Sequence, residues 1–509
     1  MNLLFRADAS IPIGTGHVMR CLALAQAWRD AGGHALFAMA QTTLAIQARL
    51  ESEDCEEFSV RAEAGSSADA SQTIALAREH QADWIVVDGY QFDADYQRAL
   101  KAAECKILFV DDYGHAAQYS ADLVLNQNVS ASAETYSSRE SQTRLLLGPR
   151  YCLLRREFSA WREWKREIPL LCRRVLVMMG GSDPENLTAR AIEALTLARV
   201  EGLEATVVIG GSNPHAEMLQ RRVAEARVKI TVLQDVSNPA DLMAAADVAI
   251  SAAGSTCWEL CLLGLPALLI DVADNQTALA AELERRGCAI HVGDKNVSPE
   301  KIAESLKRLV DSLELRQSLA ASSRQLVDGN GARRVVSALR GVPGLRLRPV
   351  RPEDSRLLWE WANDAEVRAA SFSSAAIPWE RHVGWFAEKL RASAIPSEKG
   401  SVIFIGEDEL GTPLGQIRFD AMMEVDGNWE LDVSVASAAR GRGLGSALIE
   451  RGVQEFLRNH QGARVHAFVK PQNAASVKAF EDAGFTRAGT GQTRGHIAIH
   501  LIDEDIPTI

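Results

Sequence analysis

Short apolar runs alternate with amphipathic stretches along the first third of the chain. The apolar runs have the length of strands, whereas the stretches between them have the length and spacing of helices. The predicted strands are residues 2–6, 35–39, 84–88, 106–111 and 123–126, and the predicted helices include residues 18–31, 68–80 and 93–103. This alternation predicts βαβ units and hence a parallel sheet with helices on both faces.

The same alternation starts again after the charged segment REFSAWREWKREIP. The run RRVLVMMGGSDPEN predicts a strand, a Gly-rich turn and a helix that is capped near Asp183 and begins at Pro184. Further strands are predicted at residues 205–209, 229–233, 248–251 and 267–270. The first 340 residues therefore read as two Rossmann-like halves, and a cleft between two such halves is a common site for a nucleotide-linked ligand.

A boundary is predicted at GVPGLRLRP, residues 341–349, because Gly and Pro are concentrated there. The tail beyond it holds five of the ten Trp and none of the eight Cys. A chain of 509 residues has the length of about three domains. We predict an α/β protein with domains at residues 1–165, 166–340 and 341–509.

The composition of the chain argues against several classes of binding partner. A net charge of -12 gives the whole chain no attraction to nucleic acid or to an anionic membrane. The N-terminus does not resemble a signal peptide, and the longest apolar stretch is too short to span a bilayer. The cysteines form no CxxC pair and read as reduced thiols, so we expect a cytoplasmic protein. No cluster has metal-ligand spacing, so no metal is expected, and the oligomeric state is not predicted.

The first chemical motif is a glycine turn between a strand and a helix. Gly14 and Gly16 allow a sharp bend and close approach of a ligand, and the helix start beside them suits a phosphate or an oxyanion. His17 stands at that helix start, where the positive end of the dipole favours a neutral imidazole that can act as a general base. A capping or packing histidine is the alternative. Asp8 and Arg20 flank the turn as ligand contacts or, equally, as a strand-end cap and a solvated helix charge.

The motif RADASIPIGTGHVMRCLALA resembles the N-terminus of the UDP-sugar hydrolases of pseudaminic acid synthesis. The resemblance continues in VVDGY, FVDDYG, ADLVLNQN and LLGPRYCLLRREF, and it covers roughly residues 1–340. It implies a GT-B fold in which water attacks the anomeric carbon with inversion and UDP departs. His17 would deprotonate or position that water. Tyr90 would line the sugar pocket, although a packed tyrosine is nearly as consistent with its position.

The resemblance also assigns a UDP site to the second half. Two small-residue turns at helix starts would bind the diphosphate through backbone N–H groups, and Glu259 would accept hydrogen bonds from the ribose hydroxyls. The loop at 271–287 would reach the donor sugar. The implied UDP-binding residues are Gly181, Ser182, Gly254, Ser255 and Glu259, and the implied substrate-binding residues are Gly14, Gly16, Arg20, Tyr90, Asn275 and Gln276.

The tail carries a second motif, WELDVSVASAARGRGLGSALIERGVQEFL, in which a strand leads through a Gly-rich turn into a helix. Such a turn wraps a pyrophosphate, and together with VKPQNAASVKAFEDAGF it resembles the GNAT acetyltransferases. The resemblance implies acetyl-CoA as cosubstrate. The implied CoA-binding residues are Val433, Val435, Arg440, Arg442, Gly443, Leu444, Gly445, Ser446, Asn473 and Phe480.

Proton transfer in the tail has no obvious donor or acceptor. Many GNAT enzymes have a tyrosine where this chain has Phe480, and phenylalanine cannot donate a proton. Glu430, Asp432 and His466 are candidates for handling protons, but each is individually better explained as an ordinary polar strand residue.

The two resemblances together predict consecutive reactions on small UDP-sugars. The tail would N-acetylate a UDP-4-amino sugar, and the front part would hydrolyse the resulting UDP-2,4-diacetamido-2,4,6-trideoxy-β-L-altropyranose. The alternatives are a GT-B glycosyltransferase with an acetyltransferase tail, the same two activities on an isomeric diacetamido sugar, and a nucleotide-sugar sensor without turnover.

Overall fold

The computed structural model describes the chain except residues 11–12, 182, 212, 274–275, 341–344, 394–399, 409–410, 423–426, 442, 461, 494 and 504–509. The chain divides into two compact units, Met1–Val335 and Val336–Ile509. In the first unit, two parallel sheets are each covered by helices. The second unit is built on one mixed sheet.

The first half of the front unit contains a seven-stranded parallel sheet of order β3-β2-β1-β4-β5-β6-β7. Its elements in chain order are β1 (Asn2–Ala7), α1 (Gly16–Asp30), β2 (His34–Met39), α2 (Leu44–Ser52), β3 (Glu56–Ser59), α3 (Ser67–Glu79), β4 (Ala82–Asp88), α4 (Ala94–Ala102), β5 (Ile107–Val110), β6 (Leu123–Asn126) and β7 (Arg144–Leu147). The central strands are buried nearly throughout, as expected for a parallel sheet that is covered on both faces.

The second half contains a six-stranded parallel sheet of order β10-β9-β8-β11-β12-β13. Its elements are β8 (Arg174–Met178), α5 (Leu187–Leu197), β9 (Glu204–Ile209), α6 (Ala216–Glu225), β10 (Lys229–Gln234), α7 (Pro239–Ala245), β11 (Val248–Ala252), α8 (Thr256–Leu262), β12 (Ala267–Ile270), α9 (Thr277–Arg285), β13 (Ile290–Gly293), α10 (Pro299–Asp311), α11 (Leu313–Leu326) and α12 (Gly331–Arg340). Separate hydrophobic cores lie on its two faces.

The tail sheet has the order β14-β15-β16-β17-β18-β20-β19, and β17 and β18 are its parallel pair. Its elements are β14 (Arg346–Pro349), α13 (Ser355–Ala362), α14 (Ala365–Ala370), α15 (Trp379–Ser393), β15 (Ser401–Glu407), β16 (Pro413–Ala421), β17 (Asn428–Val435), α16 (Leu444–Asn459), β18 (Arg464–Val469), α17 (Ala474–Asp482), β19 (Thr486–Thr493) and β20 (His496–Asp503). Helix α16 packs its apolar stripe on one face of this sheet.

The predicted α/β fold class with two Rossmann-like halves is confirmed by these sheets. One helix start was placed wrongly, because α5 begins at Leu187 rather than at Pro184. Asp183 still caps this helix from a left-handed turn, since its carboxylate accepts from the backbone N–H groups of Leu187 and Thr188 at 2.8 and 2.9 Å. The capping signal was therefore correct, but three further residues form the turn before the helix.

Every described helix is too short or too polar to cross a lipid bilayer. All eight cysteines are free thiols.

Candidate functional site

The order of strands in the first half reverses between β1 and β4, which lie side by side at the centre of the sheet. Loops that follow two such strands separate at their carboxyl ends, and the crevice between them is the usual ligand site of an open α/β sheet. The loop after β1 leads to His17, and β4 ends at Asp88. The topology therefore places these two side chains at one crevice.

His17 and Asp88 form a hydrogen-bonded pair. Nδ1 of His17 lies 2.7 Å from Oδ1 of Asp88. When Nδ1 carries the proton and donates it to the carboxylate, Nε2 is left as the basic atom. Burial of Asp88 opposes its ionisation, but Arg20 and His17 outweigh burial and hold the pKa of Asp88 below its ordinary value. An ionised partner suits a base, since it stabilises the imidazolium formed after proton uptake.

Arg20 connects this pair to a second carboxylate. Its guanidinium donates to both oxygens of Asp88 at 2.6 and 2.7 Å and to Asp112 at 2.7 Å. Tyr90 donates to the other oxygen of Asp112 at 2.7 Å, and its ring meets the His17 ring edge-on at 5.0 Å. Tyr113, which is about half exposed, packs beside Tyr90. The interpretation of Arg20 as a solvated helix charge was wrong, because the side chain is buried among carboxylates.

The glycine turn has the predicted conformation. Gly14 has a φ of +78°, and a Cβ on either Gly14 or Gly16 would meet nothing described within 4 Å, so a ligand can approach the backbone. The side chain of Thr15 caps no N–H group in the first turn of α1. Asp8, in contrast, accepts from the N–H groups of residues 40 and 41 at 2.7 and 3.1 Å, so it acts as a strand-end cap.

The turn after β8 lies against this glycine turn. A Cβ on Gly181 would lie 2.7 Å from Oγ1 of Thr15, so the two halves of the front unit approach each other closely here. In the second sheet the strand order reverses between β8 and β11, and Gly181 and Gly254 follow those two strands. The His17 crevice and the predicted diphosphate turns are thus on facing edges of the two sheets.

The other predicted residues of the second half are held by neighbours. Glu259 accepts from Arg155 at 2.8 Å, and burial raises its pKa while Arg155 partly offsets that rise. Gln276 accepts from the N–H of Val272 at 3.0 Å, which stabilises its own loop. Ser255 is the N-cap residue of α8. Ser182 and Asn275 lie outside the described residues.

For the UDP-sugar hydrolysis that the sequence resemblance implies, Asp88→Asn is expected to lower the rate by about 10²-fold or more, because the neutral amide neither fixes the Nδ1–H tautomer nor stabilises an imidazolium. The measurement is kcat for UDP release, with the melting temperature as a check of folding. Asp122→Asn, which removes the acidic partner of Lys101 in a half-exposed ion pair, is the control. An Asp88→Asn protein that is folded and fully active would contradict this role for Asp88.

In the tail, the Gly-rich turn between β17 and α16 is open. Gly441 and Gly443 have φ values of +75° and +74°, and a Cβ on either would meet nothing described within 4 Å. The guanidinium of Arg440 is engaged by Asp364 at 2.6 Å and Glu366 at 2.8 Å, so its charge is already paired with two carboxylates. Backbone N–H groups in this conformation at the start of a 16-residue helix fit a pyrophosphate.

The other residues predicted to bind CoA differ in their contacts and in their burial. Asn473 caps α17 by accepting from the N–H of Ser476 at 3.1 Å. Phe480 is buried in the hydrophobic core edge-on to Phe485. Ser446 donates to the carbonyl of Gly443 at 3.0 Å. Val433, Val435, Leu444 and Gly445 lie in β17 and at the start of α16, and Arg442 is outside the described residues.

Sequence reasoning missed Asp88, Asp112 and Arg155. The first two stood in the motifs VVDGY and FVDDYG, where Asp88 ends one predicted strand and Asp112 follows the next, and that position was an available signal. Arg155 also stood in a quoted motif, but nothing in its sequence neighbourhood indicates Glu259. Among the described residues, no group of three or more His, Cys, Asp or Glu side chains is arranged to hold a metal ion.

Comparison with known proteins shows the family to which the chain belongs. The spore coat polysaccharide biosynthesis protein SpsG of Bacillus subtilis is 32% identical over 235 residues, which is 46% of this chain and 68% of that protein. The chain belongs to the SpsG family. The profile described as Glycosyltransferase family 28 C-terminal domain matches residues 175–335, and the profile described as Acetyltransferase (GNAT) domain matches residues 344–486.

Two further relatives extend this assignment. UDP-2,4-diacetamido-2,4,6-trideoxy-beta-L-altropyranose hydrolase of Campylobacter jejuni is 27% identical over 289 residues, 56% of this chain and 97% of that protein. Uncharacterized protein MJ1062 of Methanocaldococcus jannaschii is 22% identical over 510 residues, 97% of this chain and 98% of that protein. This member of the SpsG family is thus an enzyme that combines a hydrolase homologue with a GNAT domain, and the resemblance inferred from the motifs is confirmed.

Proposed function

We propose that the front unit hydrolyses UDP-2,4-diacetamido-2,4,6-trideoxy-β-L-altropyranose to UDP and the free sugar. We further propose that the tail makes this substrate by acetylating the 4-amino group of the preceding UDP-amino sugar. Homology to the Campylobacter hydrolase and the GNAT match support the two halves of the proposal. The observation that carries the hydrolase half is the His17–Asp88 hydrogen bond of 2.7 Å at the switch point of the first sheet.

In the hydrolytic step, Nε2 of His17 takes a proton from water while the water oxygen attacks the anomeric carbon. The bond from that carbon to the UDP oxygen breaks, and the configuration inverts. Asp88 stabilises the imidazolium of His17 until that imidazolium returns the proton to solvent. In this proposal, water attacks one face of the sugar ring and UDP departs from the opposite face. The base and the diphosphate turns therefore lie on opposite sides of the crevice.

UDP is assigned to the second half of the front unit. Backbone N–H groups at Gly181, Ser182, Gly254 and Ser255 would bind the diphosphate, and Glu259 would accept from the ribose through the oxygen that Arg155 does not engage. Gly14, Gly16, Arg20, Tyr90, Asn275 and Gln276 keep their predicted place around the sugar. Arg20 would act there by holding Asp88 and Asp112 in position.

In the tail, acetyl-CoA is the proposed cosubstrate. The turn at 440–446 would bind its pyrophosphate through backbone N–H groups, and β17 would align the pantetheine chain along Val433 and Val435. Asn473 and Phe480 remain predicted contacts. Acetyl-CoA supplies an activated acetyl group for this reaction. Because both reactions act on small molecules, we propose that the protein works in the cytoplasm and has no nucleic-acid or membrane partner.

The test is incubation of the full chain with the UDP-4-amino sugar and acetyl-CoA, followed by mass spectrometry. We expect the mass of one acetyl group to be added to the UDP-sugar, followed by release of UDP in the absence of any acceptor. The isomeric diacetamido UDP-sugars, offered in parallel, test stereochemistry. Release of UDP only when a lipid or protein acceptor is present would replace hydrolysis with glycosyl transfer, the alternative to which the glycosyltransferase profile at 175–335 points.

A further inference from the structure

Strands β17 and β18 separate within the tail sheet. Their parallel pairing runs through Asn428–Arg464 and Trp429–Val465 to Glu430–His466, and no later rung joins them in the described part of the chain. Both strands nevertheless continue, to Val435 and to Val469. A wedge therefore opens between them, and His466 lies on the last rung, at its closed end.

The two faces of these strands differ in character. Trp429, Leu431, Val465 and Ala467 belong to the hydrophobic core under α16. Since side chains alternate along a strand, Glu430, Asp432 and His466 project from the opposite face. On that face α15 lies nearby, with Trp385 stacked over Arg418 at 5.2 Å. The polar end of the wedge thus faces away from the core.

His466 is paired with a second histidine. Nδ1 of His466 lies 2.9 Å from Nε2 of His500 on the adjacent strand β20, and the two ring planes lie within 17° of each other with their centroids 5.2 Å apart. Only 7% of His466 is exposed, whereas His500 is partly exposed and stacks on Phe468. Among the described residues, Nε2 of His466 is buried and has no hydrogen-bond partner. A buried polar atom of this kind calls for a partner that the protein itself does not supply.

The direction of that nitrogen follows from the ring. The two nitrogens of an imidazole point to nearly opposite sides, and Nδ1 is directed at β20. Nε2 therefore points away from β20, to the side on which β17 borders β18. Burial lowers the pKa of His466, and the nearby His500 and Arg464 add to that effect. When Nδ1 of His466 donates its proton to Nε2 of His500, Nε2 of His466 is left with a lone pair.

We propose that His466 is the general base of acetyl transfer and that His500 passes the proton on to solvent. This inference rests on the acetyltransferase function proposed above and adds to it the residue that accepts the proton. Phe480 cannot donate a proton to the CoA thiolate, so in this scheme the thiolate takes its proton from the substrate nitrogen. Asp432 is a weaker candidate because Gln416 donates to it at 2.9 Å and Arg418 lies 3.7 Å away.

Nε2 of His466 accepts a proton from the substrate ammonium, and the Nδ1 proton of His466 moves to Nε2 of His500, whose own Nδ1 proton leaves to solvent. The neutral amine attacks the thioester carbonyl, so a C–N bond forms and the C–S bond breaks. The departing CoA thiolate takes the second proton from the new amide nitrogen. The products are the acetamide, CoA thiol and one released proton.

The experiment compares acetyl transfer to the UDP-4-amino sugar by the full chain and by His466→Gln. Glutamine retains a hydrogen-bonding side chain but is not a base, so we expect kcat to fall by about 10²-fold or more. Binding of CoA and hydrolysis of UDP-diacetamido sugar by the front unit should not change. Added imidazole should partly restore the rate of His466→Ala, which a purely structural role would not allow.

Two further variants keep the test decisive. His460→Gln is the matched control, because His460 is another partly buried tail histidine whose Nδ1 contacts the carbonyl oxygen of Phe456 at 3.0 Å, and its kcat should be that of the wild type. His500→Gln should give a smaller loss than His466→Gln, and it tests the relay even if His466→Gln does not fold. Wild-type kcat in both His466→Gln and His500→Gln would overturn the inference. Absence of acetyl transfer in the wild type itself would instead reject the proposed function.

Discussion

His17→Gln is expected to slow UDP release from the diacetamido sugar by about 10²- to 10⁴-fold. Glutamine preserves a polar side chain beside Asp88 but cannot take a proton from water. The loss should therefore appear in kcat, whereas the KM for the UDP-sugar should change little, because the diphosphate is bound by the other half of the front unit in our proposal. Steady-state release of UDP, measured over a range of substrate concentrations, separates the two parameters.

The same chain provides the internal standard for this experiment. Acetyl transfer by the tail should be the same in His17→Gln and in the wild type. His80→Gln is a suitable control in the front unit, since His80 packs on Phe58 next to the start of β4, whereas the candidate site lies at the end of that strand. Full hydrolytic activity of a folded His17→Gln protein would remove the basis of the hydrolase mechanism.

The second large effect is expected in the tail. Gly443→Val should raise the dissociation constant of CoA about tenfold or more. Valine at a φ of +74° is strained, by about 1–2 kcal/mol, and its side chain would occupy the space through which a pyrophosphate reaches the backbone N–H groups. Titration calorimetry of the full chain with CoA measures this change directly.

Gly462→Val separates local strain from the loss of the binding surface. Gly462 has a φ of +78°, and a Cβ there would also meet nothing described within 4 Å, but it lies in the turn between α16 and β18 rather than at the start of α16. Both variants should lose similar stability, and only Gly443→Val should lose affinity for CoA. Equal loss of affinity in the two would argue that strain alone weakens binding and that the turn is not the CoA site.

Much of the fold was predictable because the periodicity of apolar residues is local information. The alternation of strands and helices, the restart near residue 174 and the change of pattern near residue 341 all appear in the sequence, and the sheets follow them. The start of α5 was misplaced because Asp183 caps the helix from a left-handed turn, and a turn of that kind has no distinct sequence signal beyond Asp and Asn.

The candidate site was only partly predictable. His17 and the glycine turns were found because they are consecutive in sequence and their chemistry is local. The partner of His17 is 71 residues away, and the meaning of VVDGY depends on β4 lying next to β1. The same reason explains why a solvated Arg20 stayed open as an alternative in the sequence, since its two carboxylate partners come from the ends of other strands.

The sequence by itself determined the α/β class, the succession of two Rossmann-like halves and an acetyltransferase tail, and the position of each glycine turn that precedes a helix. The tertiary structure decided which side chains form hydrogen-bonded pairs: Asp88 with His17, Arg155 with Glu259 and His500 with His466. The physical reason is that a glycine turn depends on backbone geometry within a few residues. A charge or hydrogen-bond partner, in contrast, depends on which strands become neighbours, and strand order is a property of the packed chain.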